Sequence, residues 1–342
     1  MTLDLDTLHT HVRALRDLGE RLNTPAVTAL GLIIGGIEAI LHARTADGYA
    51  LIDEAILPLV ADQVPIEWAG DIYCIVLHHC HKLADLPRMR SWTQSMEQWC
   101  GLSGSVPYGG GGDVHRLQVQ VHSDDYRLLE DRLGTSSRTL AEVNTWAAAE
   151  GYYQLGEVRR LMGDLDGAAR AFEQARTLGK DPQPGEALLA CRRGDSAAAW
   201  TAIRLALAGG DRLERMRLLR AAVEIALGRD AVDEAETYCS ELETDAAAFK
   251  TPGFLAWAAH ARGAVAVRLP GLTVIGMHLG LARSSRRAQL QRITAQAARI
   301  MGRVPMRAKG LVGRCFLSLS RATDAALVAS QARWKPPSPF TA

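Results

Sequence analysis

Residues 146–156 read Trp146-Ala-Ala-Ala-Glu-Gly-Tyr-Tyr-Gln-Leu-Gly156, and the chain continues through Gly163-Asp-Leu-Asp-Gly-Ala168 to Phe172, Ala175 and Pro182. The pattern indicates one helix, a Gly-Asp turn and a second helix that Pro182 ends. Small residues at positions 156, 168 and 175 allow the two helices to approach closely, while Tyr152, Leu155 and Phe172 fill the space between them. Such a pair leaves an apolar face open, so further pairs must stack on it.

The same pattern of small and large apolar residues recurs along the chain. It resembles the helix–turn–helix unit of the tetratricopeptide repeat. Corresponding positions of successive units are 31 to 40 residues apart, with one exception of 80 residues. A degenerate unit at Val114–Leu133 divides this longer interval in two. We therefore predict an all-α fold, an irregular tetratricopeptide-like α-solenoid of about six helix pairs. The second helices of the other pairs are marked by Gly48, Ile52 and Ala55, more loosely by Arg88, Trp92 and Ser95, then by Ala199, Ile203 and Ala206, and by Ala235, Cys239 and Leu242.

The composition suits a water-soluble helical protein, with 48% hydrophobic and 23% charged residues. The longest apolar stretch, residues 30–41, contains Glu38 and is too short to span a bilayer, so it is expected to be a buried helix. The six cysteines have no framework spacing, and the acidic start lacks the features of a secretory signal. The sequence thus predicts a cytoplasmic protein that does not enter the membrane.

Turn-forming residues and charge divide the chain into four regions. Residues 1–105 are predicted to be N-terminal helical repeats, and residues 106–113, which contain four consecutive glycines, a flexible loop. Residues 114–268 carry the clearest tetratricopeptide-like repeats, with breaks at Asp181–Gly185 and Thr251–Gly253. Residues 269–342 form a basic segment in which the repeat pattern no longer occurs.

A series of motifs follows a fixed order along the chain: Gly70-Asp-Ile-Tyr-Cys74, Cys80, Asp85, Arg88, Trp92-Thr93, Trp99-Cys100, Val106-Pro-Tyr108, Val114-His-Arg116, Gly151–Gly163, Leu178–Gly185 and Ala221–Leu227. The order of these motifs resembles the helical-repeat region of actinobacterial LuxR-type transcriptional regulators, across residues 10–268. In that family the repeats are thought to receive a signal or a partner, and a C-terminal helix-turn-helix reads DNA. The resemblance implies a non-enzymatic sensor or protein–protein interaction module with a partner in the solenoid groove. No helix-turn-helix is visible, so DNA binding is not expected from it.

Residues 269–342 differ sharply from the rest in charge. They hold twelve Lys or Arg and one acid, a net charge of +11, and the remaining residues carry −10. Three readings stay open: an arm that binds nucleic acid through phosphate neutralisation, a basic helical cap on the acidic body, and the product of a shifted reading frame. The abrupt change beside intact repeats favours the third, in which case this chain would be a truncated regulator without function.

No catalytic, cofactor or metal site is predicted. His78-His79-Cys80-His81, near Cys74 and Cys100, is the strongest metal candidate, but contiguous residues on a helix point in different directions. The glycine run lacks the Gly-Lys-Ser/Thr of a phosphate-binding loop. Asp164 and Asp166, like Asp124 and Asp125, suit helix capping better than calcium binding. The charged positions Glu142, Glu150, Glu157, Arg159 and Arg160 are expected to form a solvated helix face.

Overall fold

A computed structural model describes residues 5–103, 106–121 and 126–268, and every regular element in these ranges is an α-helix. The all-α prediction is therefore confirmed. The basic segment 269–342 and the pair Asp124-Asp125 lie outside the described residues. The fourteen helices are α1 (Leu5–Leu22), α2 (Pro25–Leu41), α3 (Thr45–Val60), α4 (Ile66–Lys82), α5 (Leu86–Ser103), α6 (Val106–Gln120), α7 (Tyr126–Leu140), α8 (Thr145–Met162), α9 (Leu165–Thr177), α10 (Gly185–Arg192), α11 (Ser196–Gly209), α12 (Arg212–Gly228), α13 (Val232–Phe249) and α14 (Pro252–Arg268).

Side-chain caps begin four of the helices in the second half of the chain. The carboxylate of Asp164 accepts the Gly167 N–H at 2.9 Å, and Asn144, Asp195 and Asp211 cap α8, α11 and α12 in the same way. Each cap satisfies an amide that the first turn leaves without a helical partner. The capping role predicted for Asp164 is thus confirmed.

The two helices of each predicted pair, from α2–α3 to α12–α13, pack against each other, with α1 before the first pair and α14 after the last. Among the positions used to mark the second helices, Ala168, Phe172 and Ala175 are fully buried between the partners, as are Ala235, Cys239 and Leu242, whereas Arg88 and Ala206 are only partly buried. A Cβ on Gly156 would overlap the ring of Phe172, which accounts for the glycine. The irregular helical-repeat arrangement is therefore present in the described part of the chain.

The even-numbered helices form a continuous inner layer. Each even-numbered helix from α2 to α12 packs against the next one, ending at α14, and also against the other helix of its own pair. This layer curves until distant parts of the chain meet. The Thr251 hydroxyl donates to the Leu83 carbonyl at 2.7 Å, and Gly253 sits against Ala84. The start of α14 therefore rests on the turn between α4 and α5, and the array closes on itself.

The loop predicted at residues 106–113 is wrong: these residues form the first turns of α6. Each glycine in a helix interior costs about 1 kcal/mol relative to alanine, which is why the sequence suggested a loop. The second half of α6 offsets this cost, because Val114 and Leu117 are almost completely buried between neighbouring helices. The helix that they anchor continues back through the glycines.

The apolar stretch 30–41 is the buried part of α2, as predicted. Across the described residues, none of the helices combines the length and the apolar character that a bilayer crossing needs.

Candidate binding cavity

A cavity of about 890 Å³ lies on the inner layer, walled by α4, α8 and α12, by α11, and by the connection between α9 and α10. This volume falls within the roughly 300–1,000 Å³ typical of small-ligand sites. Because the inner helices approach each other only after the array curves, the cavity is a product of the whole superhelix and of no single repeat.

Three direct contacts join the inner helices around the cavity. The His78 and Trp146 rings meet edge to face, 4.9 Å between centroids, and link α4 to α8. The Gln154 amide donates to His81 Nε2 at 3.4 Å and joins the same two helices at a second point. Lys82 Nζ lies 3.1 Å from Glu214 Oε1 and links α4 to α12. These contacts hold in place walls that are up to 132 residues apart in sequence.

A buried polar network supports one wall. Lys180 Nζ donates to Glu150 Oε1 at 2.6 Å, and the Gln118 amide donates to the other carboxylate oxygen at 3.4 Å. His115 Nδ1–H in turn donates to Gln118 Oε1 at 3.0 Å. The Glu150 side chain is only 4% exposed, and a buried carboxylate needs such partners. The prediction that Glu150 belongs to a solvated face is wrong, because α8 turns this residue toward the cavity.

Arg160 departs from that prediction as well. It is buried in the described structure and forms a two-pronged ion pair with Glu157 on its own helix, at 3.0 and 2.8 Å. Glu142 is exposed as expected, and Arg159 pairs with Glu130 at 2.8 Å. Glu142 lies in the turn before α8, and the charged residues on α8 itself are buried or half-buried against neighbouring helices and the cavity.

The two cavity histidines are uncharged. Burial lowers the pKa of His78 and of His81 well below the ordinary value, and the nearby positive charges of Lys82, Lys180 and Arg217 act in the same direction. His78 Nδ1 is buried and has no hydrogen-bond partner among the described residues. This part of the wall is therefore neutral imidazole and indole, both with polar edges.

Arg217 lines the cavity from α12 and is half-buried. It forms neither a hydrogen bond nor an ion pair within the ranges that the structure covers. Its guanidinium carbon lies 6.0 Å from the centroid of the Tyr153 ring, and Lys180 Nζ lies 5.1 Å from the same centroid. Two cations thus flank one buried ring at the cavity wall, and only Lys180 has a carboxylate partner.

The metal candidate resolves into separate environments. His79 Nδ1–H donates to the Ile75 carbonyl at 2.8 Å, whereas Cys74 and Cys80 are buried and burial raises the pKa of each thiol to about 12. His78 and His81 face the cavity. Throughout the described ranges, no three His, Cys, Asp or Glu side chains are placed to share a metal ion.

Trp146, Lys180 and Arg217 line the cavity, which the sequence did not predict. Trp146 reads as a repeat aromatic, yet it is 41% exposed at the cavity. Lys180 lies in the turn between α9 and α10, directly after Gly179 in the left-handed conformation with φ of 90°, and its side chain reaches Glu150. Nothing in the residues around Arg217 separates it from the other arginines of α12.

Comparisons of this chain with protein-family models, with curated proteins and with solved structures gave no match.

Proposed function

We propose that this protein is a non-enzymatic binding module whose cavity on the inner layer receives a partner segment or a signal molecule. The observation that carries the proposal is the cavity itself, about 890 Å³ in volume and walled by helices from separate repeats. A ligand in this position contacts α4, α8 and α12 together. Its binding energy therefore depends on how tightly the array is curved, and occupancy favours the curvature that fits it best.

The regulatory setting is part of the same proposal. The order of motifs that resembles LuxR-type regulators supports a tetratricopeptide-like sensor or interaction region that acts in the cytoplasm. In this setting, a change in the curvature of the array is the signal.

The test selects peptides from a random 12-residue phage library on the immobilised full chain and on variants with a blocked cavity. Ala206→Trp fills the cavity from α11, and Gly209→Trp places a bulky ring at its edge, where an added Cβ has nothing within 4 Å. Ala197→Trp is the matched control, because Ala197 is exposed on the same helix and does not line the cavity. Circular dichroism checks that each variant is folded.

We expect the wild type and Ala197→Trp to enrich the same peptides, and both blocked variants to lose them. Enrichment that is equal in all four proteins would place binding elsewhere and remove the cavity from the proposal. Failure of the wild type to enrich any peptide would remove the peptide partner.

A second candidate function is supported by the +11 charge of residues 269–342. If this segment binds nucleic acid, affinity for duplex DNA falls steeply with salt, because phosphate contacts release counterions. Deletion of residues 269–342 should then abolish the binding. DNA affinity that ignores salt, or that survives the deletion, would eliminate this candidate.

A further inference from the structure

The charged side chains that line the cavity leave one positive charge without an acidic partner. Lys82 pairs with Glu214 at 3.1 Å, and Lys180 pairs with Glu150 at 2.6 Å. The remaining acid is exposed at the cavity edge, where it accepts a backbone N–H at 3.1 Å. The remaining cation is Arg217. The six lining charges are Lys82, Lys180, Arg217, Glu150, Asp181 and Glu214.

No acidic side chain of the described residues pairs with Arg217, although Glu150 and Glu157 lie near the same Tyr153 ring. The charge of Arg217 helps to keep the nearby His81 imidazole neutral, so His81 supplies no charge of its own. The Tyr153 ring presents its face, with its centroid 6.0 Å from the Arg217 guanidinium carbon. A guanidinium has five N–H donors in a fixed fork, and it remains charged at every physiological pH. A half-buried fork that faces a cavity and lacks a protein acceptor is suited to a planar anion from outside. A carboxylate matches this geometry with two parallel hydrogen bonds.

The rest of the cavity wall selects for the body of such a ligand. Large apolar side chains line the cavity. Trp146 is 41% exposed and Leu205 is 76% exposed, whereas Leu213 and Leu218 are buried. Burial of an apolar group against this surface contributes about 25 cal/mol per Å² removed from water. The wall therefore favours a hydrocarbon or aromatic body attached to the anion.

We propose that the cavity binds a carboxylate-bearing ligand, with its carboxylate on Arg217 and its apolar body against Trp146 and the neighbouring leucines. This inference rests on the proposed function, because it requires the cavity to be a binding site. Two sources supply the same chemistry: a free organic acid, and the C-terminal carboxylate of a peptide with an apolar last residue.

The test measures the binding of matched acid and amide probes to the full chain by isothermal titration calorimetry. The first arm uses straight-chain and arylalkanoic acids of about four to ten carbons, sizes that suit a small-ligand cavity, each beside its primary amide. The second arm uses hexapeptide mixtures ending in Leu or Phe, with a free or an amidated C-terminus. An acid that binds in the first arm identifies a small molecule, whereas binding confined to the second arm identifies a peptide end.

Four variants locate the carboxylate. Arg217→Gln removes the charge, and Arg217→Lys keeps the charge but loses the fork. Arg220→Gln is the matched control: it changes an arginine on the same helix that also has no ion pair among the described residues, lies over the Trp257 ring at 5.3 Å, and does not line the cavity. Ala206→Trp blocks the cavity.

We expect the acids to bind at least about tenfold more tightly than their amides, since a carboxylate offers the fork two negatively charged oxygens, whereas an amide offers one neutral oxygen. Arg217→Gln should abolish this preference, Arg217→Lys should keep part of it, and Arg220→Gln should keep all of it. Acid and amide binding that is equal, but lost in Ala206→Trp, would overturn the carboxylate and leave the proposed function standing. Binding that is absent in both arms, or unaffected by Ala206→Trp, would overturn both.

Discussion

Phe172 shows at the scale of one residue how a helix pair is held together. Its ring is fully buried between α8 and α9, with Gly156 on one side and Gly185 on the other, each too close to carry a Cβ. Phe172→Ala leaves a cavity that the helices cannot close without moving, so we expect a loss of about 3–5 kcal/mol in the free energy of unfolding. Urea unfolding followed by circular dichroism measures it.

The control for this measurement is Leu57→Ala, because Leu57 is 65% exposed on α3. Its effect should stay within about 0.5 kcal/mol, as for most surface substitutions. If both variants unfold at the same urea concentration, Phe172 does not fill the space between the helices.

His79 couples the stability of the fold to pH. Burial lowers its pKa to about 4, against the opposing effect of the bond to the Ile75 carbonyl, whereas an unfolded histidine titrates near 6.5. The folded state therefore binds fewer protons between these values, and its stability is complete above about pH 6.5 and falls as the pH drops toward 4. The contribution of this residue is about 3 kcal/mol at most.

The measurement compares urea unfolding of the wild type and of His79→Gln from pH 7.5 to pH 4. The variant should lose less stability over this range, while the cavity histidines, whose pKa values are also lowered, keep part of the dependence in both proteins. Parallel stability curves would show that His79 is not responsible.

The sequence predicts which residues lie inside a helix pair far better than which residues meet at the cavity. Ala168, Phe172 and Ala175 follow a local period of three and four residues, so their burial can be read directly from the chain. Glu150 and Arg217 depend on the curvature of the inner layer. This curvature is the sum of many small rotations between repeats, and no local pattern records it.

The α2–α3 pair shows at the scale of one element how two glycines set the distance between helices. A Cβ on Gly36 would lie 2.7 Å from the carbonyl oxygen of Gly48, and a Cβ on Gly48 would lie 2.5 Å from that of Gly36. Both obstacles are backbone and cannot rotate away. Gly48→Ala must therefore push the helices apart, and we expect it to destabilise the protein by about 1–3 kcal/mol, as overpacking usually does.

Gly101→Ala is the matched control, because Gly101 lies in helix α5 and an added Cβ meets nothing within 4 Å. Alanine there restricts the unfolded chain without a clash, so the protein should gain about 0.4–1 kcal/mol. Opposite signs for the two variants in thermal unfolding are the expected result. Stabilisation by both would mean that α2 and α3 do not pack through their glycines.

The glycine run of α6 shows where element prediction from sequence fails. Four glycines in a row carry the composition of a linker, and local propensity favours a loop. The helix is stabilised by its later residues. Val114 is buried in a cluster with Leu140 and Ala147. Leu117 is buried in a cluster with Leu133 and Leu155. These contacts come from helices that start beyond residue 125, and tertiary packing overrides propensity over the preceding turns.

At the scale of the whole molecule, the cavity exists because the array closes where α14 meets the turn after α4. The Thr251 hydroxyl, buried with its residue 2% exposed, donates to the Leu83 carbonyl, and Gly253 leaves no space for a side chain beside Ala84. The turn at Ala84 immediately follows the part of α4 that carries His78, His81 and Lys82. Displacement of this turn therefore moves one wall of the cavity away from the others.

Gly253→Val tests this coupling. A valine there overlaps Ala84, including its carbonyl oxygen, so the start of α14 must separate from the α4–α5 turn. We expect the helix content in circular dichroism to stay unchanged and the radius of gyration in small-angle X-ray scattering to increase. Amide exchange should rise at residues 83–86 and 250–254, and any ligand that Ala206→Trp excludes should bind more weakly. Gly101→Val is the control, since it adds the same side chain to open space in α5. An unchanged radius and unchanged exchange in Gly253→Val would show that the α14 contact does not hold the array closed. The cavity walls would then be held by the Lys82–Glu214, His78–Trp146 and Gln154–His81 contacts.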